Sequence, residues 1–220
     1  MAQTATEAFF PVGLALPSQS CVAPAGAFVL KRAFDIGAAC IGLLLSAPLL
    51  CVIARVIKGD SPGDILFRQV REGYRRRHFT ILKFRTMRQE AQPVFEQARR
   101  SDRRVTRVGA YLRAASFDEL PQLWNILTGT LSLVGPRPHV PELSQRFAPY
   151  IEGYYERLDV LPGLTGLAQI SGCRGETETL AKMAARIECD RRYVRNNSFL
   201  GDLTICINTM FIPLGHDGAY

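Results

Sequence analysis

Residues 33–57, AFDIGAACIGLLLSAPLLCVIARVI, carry only Asp35 and Arg55 as charges, and this run limits every fold open to the chain. As one straight helix it reaches roughly 37 Å, longer than the ~30 Å hydrocarbon core of a bilayer. A buried helix of a soluble protein fits poorly, because the run has almost no polar face. Pro48 interrupts it. Proline has no amide to donate and clashes with the carbonyl four residues back, here that of Leu44. Ser46 offers a nearby hydroxyl to a freed carbonyl. A break at Ser46 and Pro48 leaves arms of roughly 22 Å and 15 Å, each close to the depth of one leaflet. Both flanks are basic: Lys31 and Arg32 before the run, Arg55, Lys58, Arg68, Arg71 and the arginines at 75–77 after its start. Basic flanks stay on the cytoplasmic side. These features predict a re-entrant membrane helix over 31–58, kinked at Ser46/Pro48, with both ends on one face. The residues alone leave a kinked spanning helix equally open.

The rest of the chain reads as one domain. At 220 residues and 24.4 kDa it can bury a core unaided. A net charge of +7 points to an anionic partner: phosphorylated metabolites, acidic lipid or nucleic acid. Six cysteines without a C-x-x-C and only three histidines argue against a zinc site and for a reducing compartment. Residues 1–30 lack a basic n-region, and Pro11 and Pro17 break their apolar patches, so they read as a flexible leader. Residues 59–220 read as α+β and mainly helical. ILFRQV and HFTILKFRTM form a small β-hairpin across the loop REGYRRR, and residues 89–104 suit an exposed charged helix. Lys83 and Arg85, two apart on a strand, share a face. SFDELPQLWNILTGT reads as one helix with Leu120, Leu123, Trp124 and Leu127 at core spacing.

Asp118 and Glu119 admit two readings. Ser116 and Glu119 match the S-x-x-E capping box, with Asp118 in the first turn where the helix dipole favours negative charge. Capping alone accounts for both acids. Yet Lys83, Arg85, Arg113 and Arg137 supply cations suited to a phosphate. An acid placed among them makes sense if it holds a divalent metal or attacks phosphorus. On this reading the cations keep the Asp118 pKa low.

Taken together, KRAFDI, the Ser46/Pro48 break, FRQVREG, FTILKFRTM, FDELPQLWN, LSLVGPRP and PGLTGLAQISG resemble the bacterial sugar transferases, monotopic phosphoglycosyl transferases. The likeness runs from about residue 31 to the end of the chain. The resemblance implies transfer of a sugar-1-phosphate from a UDP-sugar to undecaprenyl phosphate with release of UMP. It implies a ping-pong route through a covalent phosphosugar on Asp118, with Glu119 as the second acid of the dyad. Mg2+ would sit at Asp118. Lys83, Arg85 and Arg113 would line the phosphate region and Arg137 the nucleotide. The setting implied is the cytoplasmic face of the bacterial inner membrane, at the start of exopolysaccharide, O-antigen or capsule assembly. The expected partners are donor, acceptor and membrane, with a second copy of the chain left open, and no nucleic acid. A minimal catalytic unit is the expectation. Asp64, Arg103 and Thr130 stand where the family often has proline, proline and aspartate, and these departures bear on loop shape. A non-catalytic, membrane-anchored anion-binding or scaffold protein is the alternative.

Overall fold

The computed structural model describes residues 25–88 and 102–211, apart from 174, 176 and 178. Its first element, α1, is a helix of 36 residues, Ala25–Asp60, with Pro48 inside it. The helix takes in residues 25–30 of the expected leader; residues 1–24 lie outside the described residues. Ser46 Oγ donates to the Gly42 carbonyl at 2.6 Å. The carbonyl it satisfies is therefore its own i−4 partner, not that of Leu44, which Pro48 deprives of a donor.

One stripe of α1 is covered by the rest of the chain. Asp35, Ala39, Ile53 and Ile57 are buried, and Leu43 and Leu50 pack beside them. That three-to-four-residue spacing is a single helix face. Away from it, Ile36, Ile41, Leu44, Leu45, Leu49, Val52 and Val56 are exposed. The acid inside the apolar run is accounted for. Asp35 accepts from Ser132 Oγ at 2.7 Å and from the Leu133 amide at 3.1 Å. The basic residues before the run also bind protein. Lys31 donates to Asp202 at 2.5 Å and to the Val134 carbonyl at 3.1 Å, and Arg32 donates to the Leu127 carbonyl at 3.1 Å.

Strands β1 (Leu66–Glu72) and β2 (His78–Phe84) form the expected antiparallel hairpin, with Leu66 opposite Phe84 and Glu72 opposite His78. The hairpin turns through Arg75 and Arg76, both left-handed at φ 52° and 62°. Stacking of Arg76 over the Tyr155 ring, 3.8 Å to its centroid, offsets part of that backbone cost. Helix α2 (Arg107–Ala114) is capped by Thr106, whose hydroxyl accepts from the Gly109 amide at 2.9 Å. A Cβ at Gly109 would lie 2.0 Å from the Thr86 carbonyl oxygen, so only glycine permits this approach to the end of the hairpin. The expected charged helix over 89–104 falls mostly outside the described residues.

The segment expected to be one helix from Ser116 is two. A 3-10 turn, Phe117–Glu119, precedes α3 (Gln122–Leu127), and Pro121 separates them. Proline needs no donor at a helix start and cannot continue an earlier one. Ser116 is left-handed at φ 58° and makes no capping bond with its side chain, so the capping box does not form. Leu123 and Ile126 enter the core, whereas Trp124 is 56% exposed. Asn125 fastens α3 to the edge of β2: its amide group donates to the Thr80 carbonyl at 2.8 Å and accepts from the Leu82 amide at 2.9 Å.

Strand β3 (Ser132–Val134) pairs in parallel with β4 (Gly163–Thr165). Between them in sequence come α4 (Pro141–Phe147) and a 3-10 segment, Tyr154–Leu158. After β4 follow α5 (Leu167–Ile170), α6 (Leu180–Arg195) and α7 (Phe199–Met210). The LVGPRP and PGLTG motifs cross here with little space. A Cβ on Gly135 would meet the Leu161 carbonyl oxygen at 2.4 Å, and one on Gly163 would meet the Gly135 nitrogen at 2.1 Å. Val140, Leu143, Phe147, Tyr154, Met183 and Ile187 pack as one cluster behind this crossing.

Asn125→Ala leaves the Leu82 amide and the Thr80 carbonyl without their partner. The expected loss is about 2 kcal/mol of folding stability, measured by chemical denaturation in detergent; an unchanged midpoint would show that the clamp contributes nothing.

Candidate active site

The two acids of FDEL have opposite surroundings. Glu119 is bound on both sides: Lys83 Nζ lies 2.6 Å from Oε1, and Arg137 reaches Oε1 at 2.6 Å and Oε2 at 3.4 Å. Burial works against the charged form of Glu119. Arg137 and Lys83 outweigh it and hold the carboxyl well below the usual range. Removing one member of a buried ion cluster leaves the others uncompensated, at a cost of about 3–5 kcal/mol. Glu119 is therefore a fixed anion that positions two cations, which removes it as a free proton acceptor.

Asp118 is only 8% exposed, and among the described residues it makes no hydrogen bond or ion pair. Its electrostatic neighbours are Lys83, Glu119, Arg113 and Arg137. Burial pushes its carboxyl upward; Lys83 pulls it down, Glu119 raises it further, and Arg113 and Arg137 oppose. The balance is upward, which corrects the expectation of a lowered value. The cations closest to the pair are spent on Glu119, so desolvation wins at Asp118.

The fold brings three of the four expected cations to this site. Lys83 comes from β2, whose edge Asn125 fixes to α3. Burial lowers its pKa despite the attraction of Glu119. Arg137 comes from the loop after β3, and the pull of Glu119 raises its pKa against burial. Arg113, in the last turn of α2, is steadied by a 2.9 Å bond from Nε to Thr86 Oγ1 and feels the Asp118 charge.

Arg85 is the exception. Its guanidinium donates to the Pro62 and Ser61 carbonyls at 2.6 Å each and to the Ile57 carbonyl at 3.5 Å. It closes the C-terminal end of α1. Strand β2 ends at Phe84, so the two-residue alternation that would put Arg85 beside Lys83 no longer applies. Arg71, which was not expected near the cluster, holds the loop that carries Arg137. From the end of β1 it donates to the Pro138 carbonyl at 3.1 Å, and burial together with Arg137 lowers its pKa to about 10. Reading REGYRRR as loop concealed it; strand β1 continues through Glu72 and carries Arg71 inward.

No three His, Cys, Asp or Glu side chains gather into a metal cage among the described residues. Glu119 has both oxygens engaged by cations. Asp118 is the one carboxylate of the pair with oxygens to give. One carboxylate fits a magnesium ion that takes its remaining ligands from phosphate oxygens and water.

This site stands on a chain whose residues 26–216 match the model of the family described as bacterial sugar transferase. A UDP-glucose:undecaprenyl-phosphate glucose-1-phosphate transferase of Escherichia coli is 47% identical over 193 residues, covering 87% of this chain and 42% of the relative. A protein of the same name in Caulobacter vibrioides is 49% identical over 191 residues, 86% of this chain and 72% of the relative. The exopolysaccharide production protein PSS of Rhizobium leguminosarum is 43% identical over 191 residues, 84% of this chain and 96% of its own length. The chain thus spans less than half of the Escherichia coli relative and nearly all of the Rhizobium one. With a match over most of its residues and the motifs assembled in one place, the chain belongs to the bacterial sugar transferase family.

Proposed function

We propose that this chain transfers a sugar-1-phosphate from a UDP-sugar to undecaprenyl phosphate through a phosphosugar held covalently on Asp118. The observation that carries the reading is the difference between the two acids: Glu119 is locked between Lys83 and Arg137, while Asp118 stays unpaired in the same cationic field. In the first step an Asp118 oxygen bonds to the sugar-bearing phosphorus of the donor. The bond from that phosphorus to the bridging oxygen breaks, and UMP leaves with the electron pair. In the second step a phosphate oxygen of the acceptor attacks the same phosphorus and Asp118 departs as carboxylate. Lys83, Arg113 and Arg137 bind the phosphoryl oxygens and offset their charge. Asp118 would hold a magnesium ion, which would supply further charge neutralisation at the donor diphosphate. The names of the Escherichia coli and Caulobacter relatives favour glucose as the sugar, and the Rhizobium relative favours exopolysaccharide assembly.

The membrane placement is part of the same proposal. Helix α1 is long and apolar enough to cross a membrane. Its docked stripe, however, reaches from Asp35 to Ile57. A helix held to one body near both ends cannot also carry those ends to opposite sides of a bilayer. Between Leu43 and Leu50 only Ser46 is half-covered, and Leu44 and Leu45 are each 76% exposed. This supports a re-entrant helix whose apex lies at Ser46 and Pro48, with the catalytic domain at the cytoplasmic face of the inner membrane. Phe117, beside Asp118, and Trp124 are also exposed. Tryptophan favours headgroup depth, where the acceptor phosphate lies.

Asp118→Asn is expected to lower UMP release by at least about 1,000-fold, and mass spectrometry of the wild type is expected to find a hexose phosphate on the peptide containing Asp118. Normal turnover by the variant would reject the mechanism. The pH profile gives a separate test. Asp118 attacks as the carboxylate, and its pKa is raised, so UMP release rises as pH climbs through that value. Glu119→Gln removes one of the charges that raise it, so the acid limb is expected to move to lower pH even as the maximum falls. A limb that stays in place or moves upward would contradict this electrostatic account. For topology, cysteines at Val29 and Arg77 in a variant stripped of native thiols are expected to react with an impermeant maleimide from the same membrane face; labelling from opposite faces would establish a spanning helix.

A further inference from the structure

The loop that presents Arg137 is held by its backbone. Three successive carbonyls each accept from a different donor. The Arg137 carbonyl accepts from Arg157 Nη2, the Pro138 carbonyl from Arg71 Nη1 at 3.1 Å, and the His139 carbonyl from the Glu72 amide at 2.9 Å. Arg157 lies in the 3-10 segment Tyr154–Leu158 and is only 1% exposed. Its Nε donates to Asp190 Oδ2 on α6 at 2.9 Å, and Asp190 is 2% exposed. A line of contacts therefore runs from Asp190 through Arg157 to the backbone of Arg137, and from the Arg137 side chain to Glu119.

A second arginine, on α6, holds a neighbouring loop. Arg186, one turn earlier on α6, feels the Asp190 charge. Arg186 donates to the Cys173 carbonyl at 2.9 Å and to the Gly175 carbonyl at 2.5 Å. The buried carboxylate on α6 thus anchors Arg157, which grips the loop after β3, while Arg186 on the same helix grips the loop after α5. A buried ion pair contributes little net stability compared with apolar side chains of the same size. Its retention here matches a demand for direction: a guanidinium fixed at one end by a carboxylate presents its other nitrogens in a set plane.

We propose that Asp190 and Arg157 are positioning residues, which set the Arg137 loop so that its guanidinium engages Glu119 and the donor phosphates. The proposal rests on the phosphotransfer reading above for its kinetic arm and is independent of it for its structural arm.

The test compares Arg157→Lys with the double variant Arg157→Met/Asp190→Leu in the full chain in detergent. The double variant replaces the ion pair with apolar volume and is expected to keep a melting temperature near that of the wild type. Lysine keeps a cation beside Asp190 but lacks the second arm that reaches the Arg137 carbonyl. Both variants are expected to show faster hydrogen–deuterium exchange in the peptide covering 135–140, together with a fall of about 100-fold in kcat/KM for UDP-glucose. Exchange at α7 is expected to stay unchanged. A folded variant with wild-type exchange over 135–140 would overturn the proposal, whatever its activity. If the double variant does not fold, Arg157→Lys carries the test alone. If the wild type itself releases no UMP from any donor, the phosphotransfer reading fails and the exchange arm still decides this one.

Discussion

Glu119 is the contact around which the site is built. It joins three pieces of chain that no local rule brings together: strand β2 through Lys83, the 3-10 turn that carries the dyad, and the loop after β3 through Arg137. The bonds are short and the carboxylate is largely shielded, with 13% of its side chain exposed. In such surroundings an ion cluster is costly to leave incomplete. The arrangement fixes the charges of two cations on one acid and leaves the adjacent acid without a partner among the described residues. The work is thus divided between neighbours: Glu119 neutralises Lys83 and Arg137, and Asp118 lies in their field.

The same economy governs α1. Its apolar faces suit lipid, but Lys31, Arg32 and Asp35 are all committed to protein. The charge at Asp35 would be expensive in hydrocarbon and is instead paired with a hydroxyl and an amide from β3. The helix, long and apolar enough to cross a membrane, is thus also a structural part of the domain. Arg85, by closing the far end of α1 on the 61–62 turn, serves that union rather than the cluster around Glu119.

Behind the site, crowding does the remaining work. Gly135 and Gly163 permit two backbones to touch, and Asn125 ties α3 to a strand edge. These contacts leave the dyad turn little room to shift relative to Lys83 and Arg137. Preorganisation of this kind lets charged groups act on a phosphate without first rearranging.

Much of this was written in the chain. The apolar run with its lone acid, the alternation of HFTILKF, the Gly and Pro punctuation of the motifs and the excess of arginine determined a long apolar helix, a hairpin and a charged cluster that the fold gathers from Asp118, Glu119, Lys83, Arg113 and Arg137. These are local or compositional properties, and periodicity and charge report them directly. Which acid is paired, which arginine faces the site and whether S-x-x-E caps a helix were decided only by the tertiary structure. Glu119 meets Lys83 across 36 residues and Arg137 across 18. Arg85 turned to α1 because β2 stopped sooner than its residues suggest, and Arg71 reached the Pro138 carbonyl because β1 ran longer. The same tertiary packing raised the Asp118 pKa, since desolvation depends on everything folded around a carboxylate and not on its neighbours in sequence.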